Sequence, residues 1–155
     1  MFDYQQIFHT GMRVADMDAA MADLGPALGV TWAKPQFRVQ HVWLPGQGMT
    51  DLPLRFVYSM EGPQHVELLE GPEGSIWDGR QAPGVHHQGI WADDVAAVTT
   101  HFIDAGWTLE LAQVPAEEGF GNFTYVRSPG GVLIEPVAAA LKPMFERWWA
   151  GGDLG

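Results

Sequence analysis

One stretch decides the fold: Val85-His86-His87-Gln88-Gly89-Ile90-Trp91-Ala92-Asp93-Asp94-Val95. It repeats residues near the N-terminus, because placing His87 on His9 sets an offset of 78 residues at which other positions also match. The matched pairs are Gly11 with Gly89, Met12 with Ile90, Asp16 with Asp94, Met17 with Val95 and Ala19 with Ala97. A repeat at a fixed offset indicates one structural unit present twice.

The composition limits the classes of protein to consider. A chain of 155 residues with 46% hydrophobic content can form one domain with a core. There is no run of about 18 apolar residues and no signal-like N-terminus, so we predict a cytoplasmic protein with no membrane partner. The net charge of −11 argues against nucleic acid as a partner. With no cysteine, any metal ligands must be histidines and carboxylates.

The first half of the chain predicts the order βαβββ. Residues 6–14 alternate apolar and polar side chains as a strand does, and Asp16 can cap a helix from Met17 to Leu24 or Leu28. Strands are predicted at 32–44, 54–60 and 64–69, separated by turn residues.

The second half predicts the same order. A strand at 85–92 precedes a helix with Val95, Val98, Phe102 and Ile103 on one stripe, and strands follow from Trp107, at 123–126 and at 132–137. We therefore predict an α+β fold in a single domain, 1–155, with two βαβββ modules at 6–70 and 85–137. A linker at 71–84 joins them, and a C-terminal helix covers about 138–150.

Four residues carry the predicted chemistry: His9 and Glu67 from the first module, and His87 and Glu135 from the second. Each lies in a predicted strand, on the face opposite its apolar neighbours, and the two pairs occupy equivalent places in the repeat. Two imidazoles and two carboxylates suit one divalent ion such as Zn, Ni, Co, Mn or Fe, with positions left open for substrate.

The chain resembles the vicinal oxygen chelate superfamily, which includes glyoxalase I, methylmalonyl-CoA epimerase, extradiol dioxygenases and bleomycin-binding proteins. The residues that carry the resemblance are those from His9 to Ala20, Val66-Glu67-Leu68-Leu69-Glu70, His86-His87-Gln88-Gly89-Ile90 with Asp93-Asp94, and those from Ser128 to Glu135. The epimerase and glyoxalase I branches look most similar. The resemblance implies an eight-stranded mixed sheet cupped around a metal ion, with His9, Glu67, His87 and Glu135 as its ligands. It also implies a homodimer.

Function follows from the metal site and the resemblance. We predict a lyase or an isomerase of the epimerase kind, which acts on a small molecule with vicinal oxygens through an enediolate or enolate. Glu135 or Glu67 would be the base that removes the proton. Two alternatives stay open: an Fe(II)-dependent extradiol-type dioxygenase, and a non-catalytic protein that binds a drug or another hydrophobic ligand.

Further residues are candidates for substrate binding. Arg13 shares the His9 face and could clamp a carboxylate or phosphate, while Trp91 could form a pocket wall. His65 shares the face of Glu67 and could move a proton. His86 competes with His87 as a ligand, but both the repeat offset and the strand face favour His87, which leaves His86 a supporting residue.

Overall fold

The computed structural model describes residues 2–155, which form eight strands and three α-helices. In chain order these are β1 (Ile7–Arg13), α1 (Met17–Leu28), β2 (Gln36–Leu44), β3 (Gly48–Tyr58), β4 (His65–Glu70), β5 (Gly84–Ala92), α2 (Val95–Asp104), β6 (Thr108–Ala112), β7 (Thr124–Arg127), β8 (Leu133–Ala138) and α3 (Lys142–Trp149). The predicted βαβββ order is present twice.

The strands form one mixed sheet in the order β1-β4-β3-β2-β6-β7-β8-β5, which closes into a barrel. The pairs β1–β4 and β5–β8 are parallel, whereas β3–β4, β2–β6, β6–β7 and β7–β8 are antiparallel. The predicted α+β class and eight-stranded sheet are confirmed. The boundaries of the two modules and of the linker stay a prediction. The grouping of residue contacts follows other boundaries.

Residue contacts group the chain into two compact units. The His9 unit comprises Phe8–Gln40, Leu52–His86 and Lys142–Gly155, and the His87 unit comprises the described residues up to Ile7, His41–Asp51 and His87–Leu141. In the His9 unit, Met17 of α1 packs in a core with Val57 and Leu68. In the His87 unit, α2 packs on Ile90, Val126 and Ile134, among others.

The two longer helices begin in the same way. The carboxylate of Asp16 accepts a hydrogen bond from the backbone N–H of Ala19, and Asp94 does the same for Ala97. Each therefore satisfies a donor that the first helical turn leaves without a partner, as an N-cap does. The predicted cap at Asp16 is confirmed, and Asp94, its match in the repeat, caps α2 in the same way.

Several element boundaries differ from the prediction. Trp32 forms only an isolated bridge to Ser59, and β2 begins at Gln36, after Pro35. β3 begins earlier than predicted, at Gly48, so β2 and β3 form a long hairpin. Near the C-terminus a 3-10 turn at Ala139–Leu141 precedes α3, which starts only at Lys142. Pro143 fits there because the first turn of a helix does not need its N–H.

The predicted face of α2 needs one correction. Ile103 is predicted on its apolar stripe, but it is among the exposed large hydrophobic residues, as is Leu28 at the end of α1. Each lies in the last turn of its helix. Met17 of α1 and Val95, Val98 and Phe102 of α2 are buried, whereas Ala20, Met21 and Leu24 of α1 are half-buried.

The predicted linker, residues 71–84, lies within the His9 unit and packs closely on other parts of it. Trp77 and Asp78 are buried, and the carboxylate of Asp78 accepts hydrogen bonds from the backbone of Gly74 and Arg80. These hydrogen bonds hold the pKa of Asp78 below its usual range. Arg13 on β1 donates a hydrogen bond to the carbonyl of Ile76 at 3.1 Å. The segment is therefore attached to β1 by a hydrogen bond between the side chain of Arg13 and its own backbone.

Within residues 2–155, no helix combines the length and the apolar character that crossing a membrane requires.

Gly79 allows this close packing, because a Cβ atom there would overlap backbone atoms of Val14. We expect Gly79→Ala to lower the free energy of unfolding by about 2 kcal/mol or more, since backbone atoms cannot move aside as a flexible side chain can. Chemical denaturation with the metal-free protein measures this effect. Gly130→Ala is the matched control, because a Cβ there meets nothing closer than Ser128 Oγ at 3.9 Å. Equal stability of the two variants would contradict the expectation.

Candidate metal centre

In the His9 unit, the parallel pair β1–β4 brings a histidine and a glutamate together. The register places Gly11 opposite Glu67 and His9 opposite His65. Residues two apart on a strand share a face, so Glu67 lies diagonally across from His9. Nε2 of His9 is 3.3 Å from Oε1 of Glu67.

The His87 unit repeats this arrangement on the parallel pair β5–β8. Gly89 lies opposite Glu135, and Nε2 of His87 is 3.5 Å from Oε1 of Glu135. The glycine at the same place in both units has a physical reason. With no side chain opposite the glutamate, space remains for its carboxylate to reach the histidine two residues along. The repeated His-x-Gly pattern is therefore linked to the position of the glutamate side chain beside the histidine.

All four side chains are buried: His9 is 0%, His87 1%, Glu67 7% and Glu135 8% exposed. Each offers one ligand atom, and these atoms all lie within 4.8 Å of one another. Burying carboxylates without compensation is costly. Two imidazole nitrogens and two carboxylates are a donor set that fits a divalent ion, which would also balance the two negative charges. The group could therefore hold the predicted metal.

Sequence reasoning missed the tyrosines beside the two histidines. Tyr58 on β3 has its hydroxyl 3.4 Å from Nδ1 of His9, and the two ring centroids are 5.0 Å apart. In the His87 unit, the ring of Tyr125 on β7 lies 4.9 Å from that of His87. A signal was available, because each tyrosine stands on the strand that precedes the glutamate strand, nine or ten residues before the glutamate.

His65, a predicted substrate-binding residue, is buried and held on two sides. Its Nδ1 donates a hydrogen bond to the carbonyl of Ser59 at 2.7 Å, and its ring stacks on Trp149 with centroids 3.7 Å apart. Burial lowers the pKa of His65 below its ordinary value; the nearby His9 acts in the same direction and the bond to Ser59 against it. These contacts anchor His65, and its role toward a substrate stays a prediction.

The other candidates are also buried or half-buried. Trp91 lies in β5 and is buried, and Arg13 directs a guanidinium nitrogen to the backbone of Ile76. Their proposed roles as pocket wall and substrate clamp stay predictions. His86 is buried, but the group of ligand atoms contains His87 and not His86, in agreement with the repeat offset. Glu70 accepts a hydrogen bond from the N–H of Met17 at the start of α1.

The C-terminal helix contributes aromatic residues to the His9 unit. Trp148 is fully buried, and its Nε1 donates a hydrogen bond to the carbonyl of Lys34 at 3.0 Å. Phe145 and Trp149 lie against Phe8 and Tyr58, with ring centroids between 5.5 and 6.2 Å apart. The aromatic side of α3 therefore packs within the chain, on the residues that surround His9.

Comparison with known proteins identifies the family. The model of the Glyoxalase/Bleomycin resistance protein/Dioxygenase superfamily matches residues 8–125, about three quarters of the chain. The chain belongs to this superfamily. The resemblance to the vicinal oxygen chelate superfamily, drawn from the sequence motifs, is thereby confirmed. No curated sequence matches the chain significantly.

Solved structures share the fold of this superfamily member. A variant of Streptomyces coelicolor methylmalonyl-CoA epimerase, in complex with 2-nitronate-propionyl-CoA, is 26% identical with a TM-score of 0.53, covering 87% of this chain and 94% of its own. Methylmalonyl-CoA epimerase from Mycobacterium tuberculosis is 19% identical with a TM-score of 0.60, covering 92% and 95%. A hypothetical protein from Bacillus halodurans is 20% identical with a TM-score of 0.56, covering 85% and 92%.

The adjacent histidines allow a sharp test of the ligand assignment. If the four residues bind one ion, the wild-type protein takes up one equivalent of zinc, and His87→Ala weakens the affinity by at least about 100-fold, since a direct ligand is lost. His86→Ala is the matched control and is expected to keep the affinity within a few-fold. Competition with a chromophoric chelator measures both values. Loss of binding in His86→Ala with retention in His87→Ala would overturn the assignment.

Proposed function

We propose that this protein is a metal-dependent isomerase of the epimerase kind, or a related lyase, acting on a small molecule with two neighbouring oxygen groups. The observation that carries the proposal is the buried set of His9, Glu67, His87 and Glu135, with its four ligand atoms within 4.8 Å. Membership of a superfamily that contains enzymes of this kind supports it.

The four side chains would hold the ion and orient the substrate. A divalent ion bound there would supply a Lewis acid that stabilises negative charge on a substrate oxygen. The two histidines would present their Nε2 atoms to it, because those atoms face the carboxylates. Burial keeps bulk water away from all four residues, so electrostatic interactions at the site are stronger than in solution.

Glu67 and Glu135 are the candidates for the base. Removal of the proton from the carbon beside the carbonyl leaves an enolate, and an epimerase must return a proton to the opposite side of that carbon. A site with one carboxylate per repeat has two groups of the same chemistry for these two transfers. A carboxylate also has two oxygens, so one can face the ion while the other exchanges a proton.

An acyl thioester with a second carbonyl or carboxylate group is the substrate class that we favour. The support is the similarity to an epimerase whose structure contains a propionyl-CoA derivative, at 26% identity. Arg13, Trp91 and His65 remain the candidates for contacts with the substrate outside the ion. A homodimer in the cytoplasm is part of the same proposal.

Proton exchange in deuterated buffer tests this function. With metal-loaded protein and methylmalonyl-CoA as the first probe, we expect loss of the α-proton signal in NMR spectra together with loss of enantiomeric purity. Glu67→Gln and Glu135→Gln are each expected to slow proton transfer by about 100-fold or more. If the two carboxylates serve opposite sides, each variant fails with a different enantiomer of the starting thioester.

The metal content of both variants must be measured alongside, because each change also removes a ligand. A panel of hemithioacetals and other 2-substituted acyl thioesters distinguishes lyase activity from epimerase activity. Absence of α-proton exchange across the whole panel, in protein shown to carry its ion, would refute the proposal. Oxygen uptake with catechols by the iron-loaded protein would support a dioxygenase instead.

A further inference from the structure

Tyr58 is placed to act on His9 rather than on a substrate directly. It is buried on β3, at 4% exposed, and the sheet register sets it opposite Glu67 on β4. Its hydroxyl is 3.4 Å from Nδ1 of His9, the ring nitrogen that does not face Glu67. The imidazole therefore has Tyr58 at one nitrogen and Glu67 at the other.

The proton on the imidazole has to change position when an ion binds. In the metal-free protein Oε1 of Glu67 lies 3.3 Å from Nε2 of His9 without hydrogen-bond geometry, and the negative charge of an ionised carboxylate there favours a proton on Nε2. A metal at Nε2 needs the lone pair of that nitrogen, and the proton of the neutral ring is then on Nδ1. Nδ1 accordingly changes from an acceptor to a donor.

A tyrosine hydroxyl can serve both states. It donates through its O–H to an Nδ1 that carries a lone pair, and it accepts through its oxygen from an Nδ1 that carries the proton. A carboxylate or a backbone carbonyl at this place could only accept, and would favour one state alone. We propose that Tyr58 is a positioning residue that keeps His9 in the ligand orientation in both the metal-free and the metal-loaded protein. The proposal rests on the metal site of the proposed function.

The surroundings of Tyr58 allow this change without movement of the ring. Its ring lies 5.5 Å from Phe145, 5.3 Å from Trp148 and 6.0 Å from Trp149, all on α3. Trp148 is itself held by its hydrogen bond to Lys34. Because aromatic contacts fix the ring, only the O–H bond needs to rotate when the proton moves from Nε2 to Nδ1. The C-terminal helix thus supports the orientation of His9 through Tyr58.

Tyr58→Phe tests the proposal, because it removes the hydroxyl and keeps the aromatic packing. The first measurement is nitrogen-15 NMR of the His9 ring in the metal-free and zinc-loaded protein, at about pH 8, where an ordinary imidazole is neutral. In the wild type we expect the proton on Nε2 without zinc and on Nδ1 with it. In metal-free Tyr58→Phe we expect the same tautomer, because Glu67 is unchanged, but a changed nitrogen-15 chemical shift of Nδ1, because its lone pair has lost the hydrogen bond from Tyr58.

The second measurement is zinc affinity by chelator competition. We expect Tyr58→Phe to bind zinc about 10-fold or more weakly, which is the usual effect of losing a partner of a ligating histidine. Tyr4→Phe is the matched control, since it removes a tyrosine hydroxyl from an exposed hydrogen bond to Gln88 and is expected to leave both readouts unchanged. Thermal unfolding of the metal-free variants checks that the fold is retained.

The outcomes separate this proposal from the proposed function. Failure of the wild type to bind any divalent ion refutes the metal site, whereas the Nδ1 chemical shifts of the metal-free wild type and Tyr58→Phe still report whether Tyr58 acts on His9. Identical Nδ1 shifts in these two proteins, or zinc binding by Tyr58→Phe as tight as that of the wild type, would overturn the role of Tyr58.

Discussion

The structure depends on keeping two buried carboxylates beside two buried imidazoles. Isolated charges are costly in a protein interior, and such groups are retained only where partners compensate them. Here each carboxylate lies within 3.5 Å of a histidine nitrogen, on strands whose other residues are largely apolar. The parallel pairing of β1 with β4 and of β5 with β8 meets this constraint, because its register sets each glutamate across from the glycine two residues after the histidine.

The two halves have kept the same backbone and have diverged around it. Both use an aspartate to start the helix and a glycine opposite the glutamate. The first half has the longer β2–β3 hairpin, and the aromatic residues of α3 contact Phe8 and Tyr58 beside its histidine. The four candidate ligands and the two tyrosines thus follow the repeat, whereas the length of the hairpin does not.

Local patterns in the sequence were sufficient for the fold class and most of the elements, and the ligand pairs stay a prediction. Alternation identified the strands, and the offset of 78 residues selected His87 over His86. The interactions that sequence reasoning missed all join residues distant in the chain: Tyr58 with His9, Glu70 with Met17, and the segment at 71–84 with β1. The glycines and prolines of that segment indicate turns, but turn residues do not reveal what the intervening Trp77 packs against. Likewise, the composition of residues 138–150 predicts a helix, but not that Trp148 would be fully buried.

The glycines opposite the two glutamates have a consequence for how such a protein can change during evolution. Because Gly11 and Gly89 contribute no side chain, the spacing of the ligands is set by hydrogen bonds between backbones rather than by the fit of neighbouring side chains. Substitutions of surrounding residues other than Tyr58 and its aromatic neighbours can then alter the shape and polarity around the candidate metal centre with little effect on the spacing of His9, Glu67, His87 and Glu135. A scaffold of this kind lets the residues around a site change gradually while the arrangement of the site itself is kept.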